Sequence, residues 1–270
     1  MKLQSSSDSI KRSYKNFYPF RLATTSFIYQ DTWVPNVRRL GPYLDEVELL
    51  LFDKGIDNYP TPFEIRELAR SANEMNFTYN IHQPIDIYLG HKDTLERKSA
   101  VDTVKEIFDL TSQLPVSTHI IHVVWLEDNS DKTIMAKWCE RVRESFESLI
   151  ASGIPSSAIA VETLDYPINW LDQIISDLNL SVCLDLGHLW LANEDPLAIY
   201  NTYKEQTSVL HLHGVEQEKD HLSLTKLDKN RRNTVKQILS DFKGIVSLEV
   251  FSFKALESSL TTLETICQTM

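Results

Sequence analysis

Leu180-Ser181-Val182-Cys183-Leu184-Asp185-Leu186-Gly187-His188 is an apolar run that ends in a carboxylate, a glycine and an imidazole. A strand buried on both faces by helices reads as a nearly continuous apolar stretch, so 180–187 has the character of a parallel strand with its polar residues gathered at the C-terminal end. The same pattern recurs outward in both directions. Upstream lie IAVETL (159–164), THIIHVVW (118–125), TYNIHQP (78–84), EVELLLF (46–52) and FRLATTSFI (20–28); downstream lie SVLHLHG (208–214) and IVSLEV (245–250). These are eight predicted strands.

Amphipathic segments of helical period separate them, at 62–76, 94–114, 133–152 and 234–242 among others. Thr61-Pro62-Phe63-Glu64 has the makings of a capping box, with Thr at the N-cap, Pro at the first helical position and Glu at the third. Eight strand-then-helix units over 20–268 average about 31 residues each, which matches the roughly 250 residues of a (β/α)8 barrel. A doubly wound open sheet is the alternative, but ATTSFIYQD follows the first strand where a GxGxxG turn would strengthen that reading. The expectation is an α/β fold, a single-domain (β/α)8 TIM barrel over 20–270, preceded by a flexible extension at 1–19 that is rich in Ser and Lys.

Composition narrows the function. The 270 residues carry 27 Lys plus Arg against 38 Asp plus Glu, a net charge of −11, which disfavours general nucleic-acid binding because that rests on neutralising phosphates. No run approaches the roughly 20 apolar residues of a membrane span, and the N-terminus lacks the apolar core of a signal peptide. A soluble, cytoplasmic protein without a membrane partner is predicted. Cys139, Cys183 and Cys267 are odd in number and far apart, which suggests free thiols in a reducing compartment.

In a barrel of this kind function collects where strands end and the loops to the helices begin. Those ends carry His82, His122, Glu162, Asp185 with His188, His211 with His213, and Glu249, and His221 follows in a loop. Any one of these histidines alone reads as a hydrogen-bonded core residue. The set does not, because burying so many charges and imidazoles is costly unless a shared cation compensates them. His211 and His213, two residues apart, share one face of a strand, and His213 has the alternative role of orienting a ligand from behind. His119 has the opposite parity and is expected to face the helices, and His91 is expected in solvent. Lys219, Arg231 and Arg232 are candidates for a phosphate contact or for a solvated face. Tyr29, Trp33, Trp125, Tyr166, Trp190, Phe251 and Phe253 lie near strand ends, where they wall a pocket or pack between barrel and helices.

With these residues in view, the chain resembles the xylose isomerase-like (β/α)8 superfamily, which includes the endonuclease IV type of enzyme. The markers are His82, His122, Glu162, Asp185-Leu-Gly-His188, His211, His221 and Glu249. The resemblance to trinuclear enzymes implies that His82 and His122 hold one metal, which Glu162 bridges to a second. Asp185, His211 and Glu249 complete that second site, and His188 and His221 belong to a third. One departure stands out: the endonuclease pattern has Asp two residues before the last His, where this chain has Lys219. Asp220 is the adjacent substitute; otherwise Lys219 contacts phosphate and fewer metals are held.

A closer resemblance is to the cobamide-remodelling phosphodiesterases of that superfamily, carried by RLATTSFIY, VPNVRRLGPYLDEVELLLF, YNIHQPIDIYLG, VETLDYP, CLDLGHLW, HLHGVEQEKDHLSL and LEVF. It implies hydrolysis of the phosphoribosyl linkage in the nucleotide loop of a corrinoid. The cofactor implied is one to three divalent ions, zinc first, with manganese, iron or cobalt as alternatives. Glu162, Glu249, His188 and Lys219 are the expected catalytic residues, and Tyr29, Trp125, Tyr166, Trp190, His213 and Lys219 the expected substrate contacts. The competing expectations are a sugar isomerase or epimerase using Glu162, Asp185, His211 and Glu249 around one metal, an endonuclease on abasic DNA, and a non-catalytic corrinoid or sugar-phosphate binder.

Overall fold

The computed structural model describes residues 8–127, 131–164 and 166–268. Eight parallel strands form the barrel: β1 (Arg21–Thr24), β2 (Glu46–Leu50), β3 (Thr78–His82), β4 (Val116–His122), β5 (Ile159–Glu162), β6 (Ser181–Asp185), β7 (Thr207–Leu212) and β10 (Ile245–Leu248). They are hydrogen-bonded in the order β1-β10-β7-β6-β5-β4-β3-β2. The seam between β1 and β2 closes through a parallel bridge of Thr25 with Glu48, where the Ser26 N–H donates to the Glu48 carbonyl at 2.8 Å. All eight predicted strands are present.

Helices cover the outside: α1 (Trp33–Leu40), α2 (Pro62–Met75), α3 (Thr94–Thr111), α4 (Lys132–Ala151), α5 (Asp172–Leu178), α6 (Leu186–Leu191), α7 (Pro196–Tyr203), α8 (Lys229–Leu239) and α9 (Phe253–Gln268). The capping box forms as predicted, the Thr61 hydroxyl accepting from the Glu64 N–H and the Glu64 carboxylate accepting from the Thr61 N–H at 2.8 Å. Asp93, Asp131, Asp195 and Asp228 cap α3, α4, α7 and α8, filling orphan N–H groups of each first turn. None of the described helices is long and apolar enough to cross a membrane.

Strand parity divides the side chains. Leu22, Tyr79, Ile121, Val161, Leu184 and Leu212 point outward into the large core shared with the helices. Ala23, Ile120, Ala160, Cys183, Val209 and Ile245 point inward and form a separate apolar layer inside the barrel. One pleat further along each strand, the inward positions are His122, Glu162, Asp185, His211 and Ser247, with Glu249 following β10. The apolar layer is thus the floor of a polar site.

Two local features differ from the expectations. Lys219 and His221, expected in a loop, lie in an antiparallel hairpin, β8 (Gly214–Glu216) with β9 (Lys219–Leu222). The described part of the extension is docked rather than free: Ile10 and Tyr14 are buried, and the Asn16 N–H donates to Asp45 Oδ1 at 2.8 Å. Tyr14 also donates to Glu264 of α9, so one of the contacts that fix this segment comes from the opposite end of the chain. Residues 1–7 of the extension lie outside the described residues.

Candidate metal centre

The C-terminal end of the barrel brings three donor groups together. In the first, Glu162 Oε2 lies 2.7 Å from His122 Nε2 and 3.6 Å from His82 Nε2. The ring of His82 is oriented from behind, since its Nδ1–H donates to the Gln83 carbonyl at 3.0 Å and leaves the Nε2 lone pair aimed at the group. Gln83 in turn donates its amide to Nδ1 of His119 at 3.0 Å. His119, stacked on Phe108 and held down to a pKa of about 3 by burial, faces the helix layer as its parity predicted.

In the second group His211 Nδ1 lies 3.0 Å from Glu162 Oε1, 3.4 Å from Glu249 Oε2 and 3.9 Å from Asp185 Oδ2. In the third, Glu249 Oε2 is also 3.4 Å from His221 Nε2, while Asp220 sits 3.1 Å from His221 Nδ1 and 3.9 Å from His188 Nε2. Glu162 and Glu249 are therefore each shared between neighbouring groups. The third group is the most open, its imidazoles about a quarter exposed against 0% for His211.

Electrostatics follow from this packing. Burial raises the pKa of Glu162, but His211 and His122 outweigh it and hold the carboxyl well below the usual range. Asp185 behaves alike under His213 and His188. His221 is opposed by burial and pulled up to about 9 by Glu249 and Asp220.

A divalent cation fits these residues. Glu162 Oε2 is buried and close to two imidazole nitrogens, yet has no hydrogen-bond partner among the described residues. Donor atoms of His82, His122 and Glu162 lie within 4.8 Å of one another, as do those of Asp185, His211 and Glu249. Mixed imidazole and carboxylate donors suit zinc, manganese, iron or cobalt.

All eight residues predicted as ligands converge: His82, His122, Glu162, Asp185, His188, His211, His221 and Glu249. Several predicted contacts do not. Tyr29 is in the core, stacked on Phe253 under the Arg39 guanidinium, because the loop after β1 folds back over α1. Trp125 packs edge-on against Trp138 and Trp170 at ring separations of 5.1 and 5.0 Å, and Trp190 faces Arg231. His213 is fully buried between Asp185, 3.1 Å away, and the His221 N–H, so it orients neighbours instead of touching a substrate. Lys219 is exposed at the hairpin turn, and it is Asp220 that reaches the third group. Tyr166 lines a cavity of about 570 Å³ with Thr163, His188 and Tyr203, next to the donor groups.

Two participants escaped the sequence reading. Glu48, fully buried on β2, lies 3.1 Å from His211 Nε2; the signal was a second inward-facing acid in an apolar strand. The other is the helical start at 186: Asp185 caps α6, accepting the His188 N–H at 2.7 Å, so one carboxylate orients the backbone that carries the next donor.

Comparison with known proteins agrees with this architecture. A family model described as xylose isomerase-like TIM barrel matches residues 34–266. A D-tagatose 3-epimerase-like protein superposes with a TM-score of 0.78 at 15% identity, over 93% of this chain and 98% of that one. Endonuclease IV from Thermus thermophilus gives 0.67 at 18% identity, over 91% and 99% of the two chains. The IolI protein, in a structure with a bound zinc atom, gives 0.71 at 13% identity, over 93% and 99%. At these identities the likeness is one of fold. An inosose dehydratase from Lacticaseibacillus casei is 40% identical over 73 residues, so the chain matches about a quarter of that relative's length, 24% of each sequence. With the family model matching most of its length and the barrel closing as that family's does, this chain belongs to the xylose isomerase-like TIM barrel family.

Proposed function

We propose that the protein is a metal-dependent phosphodiesterase that hydrolyses the phosphoribosyl linkage in the nucleotide loop of a cobamide. The observation that carries the hydrolytic part is the divided carboxylate of Glu162, one oxygen turned to His82 and His122 and the other to His211. A carboxylate so divided suits two neighbouring cations, an arrangement used for in-line displacement at phosphorus. Bound there, divalent ions supply an activated water and neutralise charge on the phosphoryl oxygens.

The protein's own residues have separate tasks in this reading. His82, His122, Asp185, His211 and Glu249 would hold the ions, and Glu162, with one oxygen toward each donor group, would anchor both and orient the attacking water. His188 and His221, the most open donors, meet the phosphate. Water adds to phosphorus, the bond from phosphorus to the ribose oxygen breaks, and that oxygen leaves with a proton, giving cobinamide phosphate and the free riboside.

The corrinoid part draws on the sequence resemblance and on the mouth of the barrel. Phe52, Ile56, Ile85, Leu126 and Phe251, all exposed, stand on loops that follow strands at the metal-site end. Phe251 lies 5.1 Å from the ring of His221 and 6.4 Å from that of Phe52, so the apolar rim is continuous with the third donor group. A large macrocycle bearing peripheral methyl groups suits such a rim better than a free sugar does.

A sugar epimerase is the second reading, favoured by the epimerases among the similar structures. It needs one metal on Glu162, Asp185, His211 and Glu249. Metal content per chain and product mass after incubation with an adenosylated cobamide and with ketoses separate the two. Two or more ions with cobinamide phosphate released is the expected result; one ion with ketose interconversion and no corrinoid product overturns the proposal.

A further inference from the structure

Glu48 is a carboxylate in the interior of the barrel that none of the steps above uses. Its side chain is fully buried on β2, and the parallel bridge to Thr25, with the Ser26 N–H on the Glu48 carbonyl, locks its backbone at the β1–β2 seam. Oε2 lies 3.1 Å from Nε2 of His211, and among the described residues neither buried atom has a hydrogen-bond partner, so each is the other's nearest means of satisfaction. The opposite nitrogen of the same ring, Nδ1, faces Glu162, Glu249 and Asp185 at 3.0, 3.4 and 3.9 Å.

We propose that Glu48 is a positioning residue for the metal centre: it holds the ring proton of His211 on Nε2, so that Nδ1 presents a lone pair to a divalent cation shared with Glu162, Asp185 and Glu249. The inference rests on the metal-centre reading and is independent of which reaction the centre performs. A neutral imidazole carries one proton, and the partner of one nitrogen decides the state of the other. With the proton on Nδ1, two lone pairs would oppose each other across 3.1 Å in a dry interior, and the position between the three carboxylates would be blocked. With the proton on Nε2, both conflicts disappear. A carboxylate behind a metal-binding histidine fixes tautomer and ring angle and raises the basicity of the ligand nitrogen. His82 has a carbonyl in that position, so the two ligand rings are held by different means, a neutral acceptor for one and a charged acceptor for the other.

The test uses zinc as the probe on the full chain. Long-range nitrogen–proton NMR of the zinc-loaded protein is expected to show His211 protonated at Nε2 and metal-bound at Nδ1. Glu48→Gln retains an oxygen that accepts from Nε2 and is expected to lower zinc affinity only a few-fold; Glu48→Leu removes the acceptor and is expected to lower it about 10- to 100-fold. The recovery by Gln separates tautomer control from mere filling of space. Coordination of zinc through Nε2 of His211 overturns the proposal, as does equal zinc affinity of the Leu variant and the wild type. If the Leu variant does not fold, the NMR result on the wild type decides. Failure of the wild type to bind any zinc is a different outcome: it removes the metal centre itself.

Discussion

The backbone N–H of His221 donates to Nδ1 of His213 at 2.9 Å, which ties the hairpin to the end of β7. An amide can only donate, so this ring nitrogen accepts, and the Gly214 carbonyl at 3.3 Å is its weaker neighbour. The proton then resides on Nε2, which reaches Asp185 at 3.1 Å. His213 thus joins a carboxylate of the second donor group to the backbone of the third, and it holds His221 at a φ of 48°, a left-handed conformation uncommon for a histidine.

Replacing His213 by Ala should therefore loosen metal binding without removing a ligand. The expected loss is about 10-fold or more in zinc affinity, read by competition with a chromogenic chelator. Affinity equal to wild type would show that the hairpin is positioned by other contacts.

Gly187 is a second support of the same ring. A methyl group there would stand 2.1 Å from His213 Cε1, and the fully buried imidazole has no room to yield. Gly187→Ala should cost roughly 1–3 kcal/mol in urea unfolding through overpacking. An unchanged midpoint would mean that α6 shifts freely on the barrel.

Glu162 faces two donor groups, so Glu162→Gln should reduce the number of ions retained after desalting and lower turnover by about 100-fold or more. Full metal content with wild-type turnover in a folded variant would end its assignment as the bridge.

The apolar rim predicts a substrate effect confined to binding. Phe52→Ser with Phe251→Ser should raise KM for a cobamide by up to about 1000-fold, since burying each ring is worth on the order of 2 kcal/mol, while kcat changes little. A fall in kcat with constant KM would instead place the rings in the chemistry.

His119 supplies a pH test. Its folded pKa of about 3 lies below the ordinary 6.5, so the unfolded chain binds a proton that the native one refuses. Its contribution to stability is complete above pH 6.5 and is lost as pH falls from there towards 3, at up to roughly 1.4 kcal/mol per unit. His119→Asn keeps an acceptor for Gln83 and should flatten the decline between pH 6.5 and 4 in denaturant titrations. Parallel curves for variant and wild type would count against a buried neutral histidine.

Features that depend on local order are readable from the chain alone. Apolar runs such as 180–187 report burial on both faces, and the two-residue repeat inside them marks which side chains turn inward, so eight strands and a converging set of imidazoles and carboxylates were legible without coordinates. Tertiary structure decided what depends on a partner distant in the chain. Tyr14 meets Glu264 across 250 positions, which docks a segment whose composition reads as free. Tyr29, Trp125 and Trp190 have the same local signature as pocket aromatics, and which rings they pack against is set by neighbours from other elements. The roles of the imidazoles belong here too: a histidine's two nitrogens are identical in sequence, and only the carbonyl, amide or carboxylate placed behind one of them settles which is left for a metal.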